Sequence, residues 1–169
     1  DVIVHDHNHD GIDRRGFLKC MAWAGAGALC VMQGGVLKSF ALGGAGGHSP
    51  KGELSFVQIS DSHMGFNKPA NPDVTATLQS AIDKINEQPH APEFLLHTGD
   101  ISHLSKPGEF DTVDQMLRSL QVSDHFCVPG EHDVLEDNGK QYLERYGKGT
   151  IGSGWYSFDK GGVHFIGLV

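Results

Sequence analysis

Three short polar clusters, each directly after an apolar run, carry carboxylate and imidazole groups at closely spaced positions. They are Asp61-Ser62-His63, Gly99-Asp100 and Gly130-Glu131-His132-Asp133. If the apolar runs are strands of one parallel sheet, the clusters meet at its carboxyl edge, where α/β proteins bind their ligands. Carboxylates and imidazoles that converge in this way can hold the divalent cations of a two-metal hydrolase.

Asp61 and His63 are two positions apart at the end of a predicted strand, so their side chains should point to the same side. One carboxylate and one imidazole suit an ion of the Mn, Fe or Zn type. Each short motif is common by chance, and a single Asp could equally be a turn or cap residue and a single His a surface residue. Three such clusters after three strands together favour a metal site.

The clusters resemble the motifs of the calcineurin-like metallophosphoesterases, which are D-x-H, then G-D, then G-N-H-D or G-N-H-E. The resemblance implies that Asp61, His63, Asp100 and Glu131 bind metal, with Asp100 bridging two ions. It also implies two divalent ions of the Mn, Fe or Zn type in the whole enzyme, and hydrolysis of phosphate mono- or diesters by a metal-activated hydroxide.

The same resemblance assigns the catalytic residues. His132 matches the general acid that protonates the leaving alkoxide, and Asp133 matches the residue that orients the His132 imidazole. Trp155 and the neighbouring aromatic side chains are interpreted as core rather than as a substrate platform.

The chain departs from the family pattern in two places. Glu131 occupies the position where the family has a neutral Asn, and the two later histidine motifs, a lone His and G-H-x-H, do not occur. If Glu131 binds metal, its negative charge should weaken both the polarisation of the bridging water and the attraction for phosphate. We therefore expect this chain to bind at most one ion weakly and to turn over little substrate.

The elements that must position these clusters follow from apolar periodicity. Strands are predicted over 54–59, 94–98 and 125–128, helices over 73–86, 107–120 and 140–146, and a hairpin over 155–159 and 163–169. Asn71 and Pro72 are predicted as the N-cap and first residue of the first helix. The order βαβαβα followed by a β-hairpin predicts an α/β fold with a right-handed parallel sheet. The resemblance implies part of a four-layer α/β/β/α sandwich.

Composition narrows the class of partner. The net charge of −8 and the 38% apolar content describe an acidic globular domain, which argues against a nucleic-acid or anionic-membrane binder. A phosphate ester would then need metal ions to hold it. Cys20, Cys30 and Cys127 have no C-x-x-C spacing, and Cys127 is interpreted as a small buried apolar residue.

Residues 1–41 resemble a twin-arginine signal peptide. Arg14 and Arg15 are followed by Phe17, Leu18 and Lys19, and then by an uncharged Ala- and Gly-rich run over 21–32. This run is too short to span a bilayer, so no stable membrane anchor is expected. Ser39-Phe40-Ala41 fits the cleavage rule, which predicts export by the twin-arginine machinery to the periplasm or outside the cell. The alternative is that the Arg pair opens an amphipathic helix on the domain.

The sequence therefore divides into a signal peptide (1–41), a flexible lead-in (42–52) and a phosphoesterase domain (53–169). Both ends look cut, so 53–169 is interpreted as the N-terminal part of a domain truncated at its C-terminus. The first functional hypothesis is a metal-dependent phosphoesterase or phosphodiesterase. The second is an exported, non-catalytic metal-binding or interaction protein that keeps the same fold.

Overall fold

A computed structural model describes residues 27–41, 54–122 and 124–169. The strands are β1 (Gly27–Gln33), β2 (Val36–Ala41), β3 (Leu54–Ile59), β4 (Phe94–His97), β5 (Asp124–Cys127), β6 (Tyr156–Lys160) and β7 (Val163–Gly167). The helices are α1 (Val74–Asn86), α2 (Pro107–Leu117) and α3 (Lys140–Tyr146), with a short 3-10 turn over Glu131–Asp133.

The main sheet has the order β2-β1-β3-β4-β5. Strands β3, β4 and β5 are parallel, which the intervening helices α1 and α2 make possible, whereas β1 is antiparallel to both of its neighbours. The predicted α/β fold is thus confirmed, and the parallel strands end on the same edge of the sheet.

The two faces of this sheet have different cores. On one face α1 and α2 pack their apolar sides, including Ile82, Phe110 and Val113, against Val57 and Leu95. On the other face the β6-β7 hairpin packs on Phe56 and Phe94 and their neighbours. The described residues therefore form three layers, namely helices, main sheet and a two-stranded second sheet.

An aromatic cluster joins the hairpin to the main sheet. Phe94 stacks on Phe56 with ring centroids 4.7 Å apart, and Phe126 stacks on Phe158 at 3.7 Å. Phe165 completes the cluster edge-on to Phe94 at 5.2 Å. The interpretation of Phe158 as core agrees with this packing, since rings at these separations stabilise one another. Trp155, which was also interpreted as core, is instead 42% exposed.

Helix α1 starts later than predicted. Its N-cap is Asp73, whose carboxylate accepts the backbone N–H of Ala76 at 2.9 Å, and the first helical residue is Val74. The prediction that Asn71 caps the helix and Pro72 begins it is therefore wrong. Both Asn71 and Asp73 can cap a helix, and the apolar pattern alone did not fix which one does.

The N-terminal strands were not predicted from the sequence. Strands β1 and β2 lie within the segment assigned to the signal peptide, and Leu29 and Val31 of β1 are buried in the helix-side core. The Arg14-Arg15 pair and the predicted lead-in lie outside the described residues. No helix within the described ranges is long and apolar enough to cross a bilayer.

Candidate metal centre

The candidate site lies in the loops that follow β3 and β4. The backbone N–H of Asp61 donates to the carbonyl of Gly99 at 3.0 Å, and that of His63 donates to the carbonyl of Asp100 at 2.8 Å. These bonds continue the β3-β4 ladder past the ends of both strands. They bring the first two polar clusters side by side, as parallel strands predict.

The backbone of these loops is unusual at the polar residues themselves. Asp61, His63 and Asp100 have φ values of 56°, 41° and 51°. Residues other than glycine seldom occupy this left-handed region, which costs of order 1–3 kcal/mol each unless the surroundings hold it. Strain of this kind is concentrated at functional sites, and here it aims two Asp side chains and one His side chain at one another.

Two glycines, Gly99 and Gly130, allow the loop after β5 to lie directly against the loop after β4. A Cβ on Gly130 would lie 2.1 Å from Oδ1 of Asp100, and a Cβ on Gly99 would lie 2.6 Å from the nitrogen of Gly130. Gly99 also has a φ of 107°. Only glycine therefore fits at either position, and the loops after β4 and β5 are in direct backbone contact.

Asp61, His63 and Asp100 form a group whose ligand atoms all lie within 4.8 Å of one another. Nε2 of His63 is 3.6 Å from Oδ1 of Asp61 and 3.5 Å from Oδ2 of Asp100. The side-chain interaction between Asp61 and His63 lowers the pKa of Asp61 and raises the pKa of His63. Both shifts have the same cause, which is the attraction between the Asp61 carboxylate and the His63 ring.

This group fits a divalent cation. Two carboxylates and one imidazole are the mixed oxygen and nitrogen donors that Mn, Fe and Zn ions accept. The Nδ1 atom of His63 is buried and has no hydrogen-bond partner among the described residues. No hydrogen bond from this atom to those residues therefore competes with metal binding. A cation among these side chains would take carboxylate oxygens and one imidazole nitrogen as its donors.

His132 joins the group through its main chain. Its backbone N–H donates to Oδ1 of Asp100 at 3.0 Å, and its ring Nδ1 lies 2.6 Å from the carbonyl oxygen of His103. A carbonyl oxygen only accepts, so Nδ1 carries the hydrogen and the neutral ring keeps its lone pair on Nε2. Nε2 can therefore take up a proton and give it to a bound molecule.

A family model for the calcineurin-like phosphoesterases matches residues 54–166. The chain belongs to this family. The match covers every strand, helix and loop that builds the site, and the recognition made from the three motifs is confirmed for this part of the chain. Members of such a family hydrolyse phosphate esters, and the Asp and His group described above provides donors for the divalent cations involved.

Two curated proteins are similar to this calcineurin-like phosphoesterase. One is named "Probable cyclic nucleotide phosphodiesterase" from Psychrobacter arcticus, 27% identical over 101 residues, which are 55% of this chain and 36% of that protein. The other is named "Probable glycerophosphodiester phosphodiesterase" from Arcobacter nitrofigilis, 30% identical over 96 residues, which are 53% of this chain and 33% of that protein. The aligned part of the chain thus spans about a third of each relative's length.

Glu131 of this phosphoesterase lies beside His132 and is not a member of the Asp61-His63-Asp100 group. Its side chain is 85% exposed, and its Oε1 is 3.9 Å from Nε2 of His132. It belongs to neither of the two clusters of potential ligands found among the described residues. Metal binding by Glu131 stays a prediction.

Asp133 has a different environment from the one that the family pattern implied. It is fully buried, and its carboxylate accepts the backbone N–H groups of Ile101, Ser102 and Gly130 and the hydroxyl of Ser102 at 2.8–3.1 Å. The ring of His132 bonds instead to the carbonyl of His103. In this structure Asp133 fastens the β4 and β5 loops together, and the His103 main chain orients the imidazole.

His97 is a site-forming residue that the sequence did not reveal. It is fully buried at the end of β4, and the Gly99 N–H donates to its Nδ1 at 3.3 Å. The hydrogen therefore sits on Nε2, which donates to the Ser62 hydroxyl at 2.9 Å, and Ser62 donates to the carbonyl of Ile101 at 3.1 Å. Burial lowers the pKa of His97 to about 4, so the ring is neutral and supports both ligand loops from below.

His103 is the other residue that sequence reasoning left without a role. Together with His63 and His132 it forms a second group whose ligand atoms lie within 4.8 Å of one another. Its ring stacks on that of His132 with centroids 4.9 Å apart. Burial, with smaller effects from the His132 and His63 rings, lowers the pKa of His103. Its spacing, three residues after Asp100, was the only available signal.

Proposed function

We propose that this chain hydrolyses phosphate esters, and phosphodiesters in particular, in a cation-dependent reaction. The observation that carries the proposal is the convergence of Asp61, His63 and Asp100 at the ends of two adjacent strands, in left-handed backbone conformations. The family match supports hydrolysis of a phosphate ester. Both curated relatives are named phosphodiesterases, which supports diesters within that class.

Each residue has a defined task in this proposal. Asp61, His63 and Asp100 would hold the cation, and the family motifs add Glu131 as a further donor. Bound divalent cations supply positive charge for the phosphate oxygens and a water of lowered pKa. His132 takes up a proton on Nε2, where it has a lone pair, and gives this proton to the leaving oxygen, while its Nδ1–H stays bonded to the His103 carbonyl.

The buried residues beneath the site keep this geometry. Asp133 holds the β4 and β5 loops together, and His97 holds the Ser62 loop against Gly99. Neither side chain needs to touch the phosphate. Their part is to fix the ligand directions before any cation binds, which reduces the reorganisation required during the reaction.

The test is release of p-nitrophenol from bis-p-nitrophenyl phosphate with and without Mn²⁺. We expect slow, Mn²⁺-dependent turnover that exceeds turnover of the monoester p-nitrophenyl phosphate. Asp61→Asn should lower it at least 10-fold, whereas Asp83→Asn, an exposed carboxylate on α1, is the matched control. A preference for the monoester would show that diesters are not the preferred substrates. Turnover that depends neither on Mn²⁺ nor on Asp61 would reject the proposed site.

A non-catalytic, cation-binding protein is the second candidate, and one observation favours it. Glu131 stands in the family's Asn position, yet its side chain is 85% exposed and belongs to neither group of potential ligands among the described residues. The test is Glu131→Asn in the complete protein. Activity that appears only after the exchange supports the binding protein, whereas an active parent that loses rate makes Glu131 a working ligand.

We also propose export to the periplasm or beyond through the twin-arginine machinery, on the motif that includes Arg14 and Arg15. Strands β1 and β2 overlap the predicted signal, so cleavage near Leu42 would remove both. Fractionation of expressing cells and N-terminal sequencing of the exported protein test this. Replacement of both arginines by lysine should retain the protein in the cytoplasm, and unchanged fractionation would refute the route.

A further inference from the structure

Three imidazole rings meet on one side of the cation group. The ring centroids of His63 and His132 are 4.8 Å apart, and His103 stacks on His132 while standing edge-on to His63 at 5.7 Å. The ligand atoms that the three rings offer lie within 4.8 Å of one another. This spacing is compatible with one ion bound between them.

The rings have uncommitted nitrogen atoms. Nδ1 of His63 and Nδ1 of His103 are both buried, and neither has a hydrogen-bond partner within the described residues. The bond from Nδ1 of His132 to the His103 carbonyl leaves the lone pair of that ring on Nε2. A buried ring nitrogen without a partner is unfavourable, and a cation would supply the missing partner.

The three-histidine group differs in chemistry from the group with two carboxylates. Neutral imidazoles favour Zn²⁺, Ni²⁺ and Cu²⁺, whereas carboxylate oxygens are better suited to harder ions such as Mn²⁺. The two groups should therefore prefer different cations, although both are built on the same loops.

His63 belongs to both groups. A neutral imidazole has a single lone pair, because its other ring nitrogen carries the hydrogen. Whichever nitrogen of His63 is used, the ring can serve only one ion at a time. An ion held by the three histidines also occupies Nε2 of His132, the atom from which a proton would be donated.

We propose that His63, His103 and His132 form a second cation site, selective for Zn²⁺, Ni²⁺ or Cu²⁺, which competes with the Asp61-His63-Asp100 site for His63. Occupation of this site inhibits hydrolysis. The inhibitory consequence rests on the function proposed above, whereas the existence and selectivity of the site do not.

His103→Ala is the decisive variant. The main-chain N–H of His103 donates to the Met64 carbonyl and its carbonyl accepts from His132, so both bonds survive removal of the ring. His125→Ala is the matched control, since His125 is exposed on β5 and belongs to neither group. All variants are made with His5, His7 and His9 replaced by Ala, which removes a competing histidine-rich segment.

The readout is the electron paramagnetic resonance signal of Mn²⁺ during titration with Zn²⁺. We expect His103→Ala to leave the Mn²⁺ affinity within 3-fold and to weaken direct Zn²⁺ binding at least 10-fold, so that more Zn²⁺ is needed to displace Mn²⁺. Asp61→Asn should do the reverse, with Mn²⁺ binding lost and Zn²⁺ binding retained. A His103→Ala protein whose Zn²⁺ affinity matches that of His125→Ala overturns the site.

Turnover of bis-p-nitrophenyl phosphate with Mn²⁺ tests the inhibitory consequence. Zn²⁺ should inhibit the parent, and the inhibiting concentration should rise at least 10-fold in His103→Ala. Equal sensitivity of the two proteins overturns the inhibition. A chain that binds both ions as expected but shows no turnover refutes the proposed hydrolysis, while the displacement data still decide whether the second site exists.

Discussion

The underside and the rim of the candidate centre are built in opposite ways. Beneath the loops, His97 and Asp133 are fully buried and their polar side-chain atoms are engaged in hydrogen bonds. At the rim, the Asp61 and Glu131 side chains are 50% and 85% exposed, and Nδ1 of His63 has no partner in the part of the chain that the structure describes. The difference indicates that the underside fixes the loops and the rim is left available for ligands.

The largest expected loss of stability comes from adding a methyl group where the loops after β4 and β5 touch. Gly130→Ala places a Cβ 2.1 Å from Oδ1 of Asp100 and should lower the free energy of unfolding by about 4 kcal/mol, since severe overpacking can exceed the usual ~1–3 kcal/mol. Gly108→Ala in the first turn of α2 meets nothing within 4 Å and is the control. Urea unfolding measures both, and equal stabilities would contradict the loop contact.

The next largest effect should come from the buried carboxylate. Asp133→Asn turns an amide NH₂ towards backbone donors and should cost about 3 kcal/mol, from unsatisfied buried groups at roughly 1–3 kcal/mol each. Asp83→Asn on the exposed side of α1 should change the free energy of unfolding by less than about 0.5 kcal/mol. If the two exchanges were equally mild, Asp133 would not be fastening the loops.

The lowered pKa of His97 predicts that the free energy of unfolding depends on pH. Its pKa is about 4 in the folded protein and 6.5 ordinarily. Between pH 4 and pH 6.5 this side chain is therefore protonated in the unfolded chain and neutral in the folded protein. Stability contributed by neutral His97 is therefore complete above pH 6.5 and is lost as the pH falls towards 4, by about 3 kcal/mol at most. Urea unfolding across this range should show a slope that His97→Gln reduces by one proton, and an unchanged slope would refute the assignment.

The smallest change in stability is expected at the rim. Asp61→Asn removes a half-exposed interaction with His63, worth about 0–1 kcal/mol, and Asn tolerates the left-handed φ of 56°. The unfolding curve should hardly move, while Mn²⁺ affinity should fall at least 10-fold. A large loss of stability in Asp61→Asn would contradict the conclusion that rim residues contribute little to the stability of the fold.

The parts of this site that the sequence predicted are those that follow from strand order. Asp61, His63 and Asp100 follow apolar runs, and a parallel sheet places the ends of such runs at one edge. The chemical types and the spacing of these residues therefore suffice to predict that they lie together.

The parts that the sequence missed depend on contacts between loops. His97 reads as an ordinary core residue of β4, and only the approach of Ser62 and Gly99 makes it part of the site. The orientation of His132 by the His103 carbonyl involves a main-chain atom, which residue types do not reveal. Strand β1 overlaps the run over 21–32 that was interpreted as part of an export signal, because apolar composition alone does not separate such a signal from a strand.

The pairing of β1 with β3 has a consequence for maturation. If export removes residues 1–41, β3 changes from an interior strand into an edge strand. The N–H and C=O groups of Leu54–Ile59 that face β1 then lose their partners. Leu29 and Val31 would also leave the helix-side core. The processed protein would then need another strand in that place, so precursor and product should differ in their tendency to associate through β3.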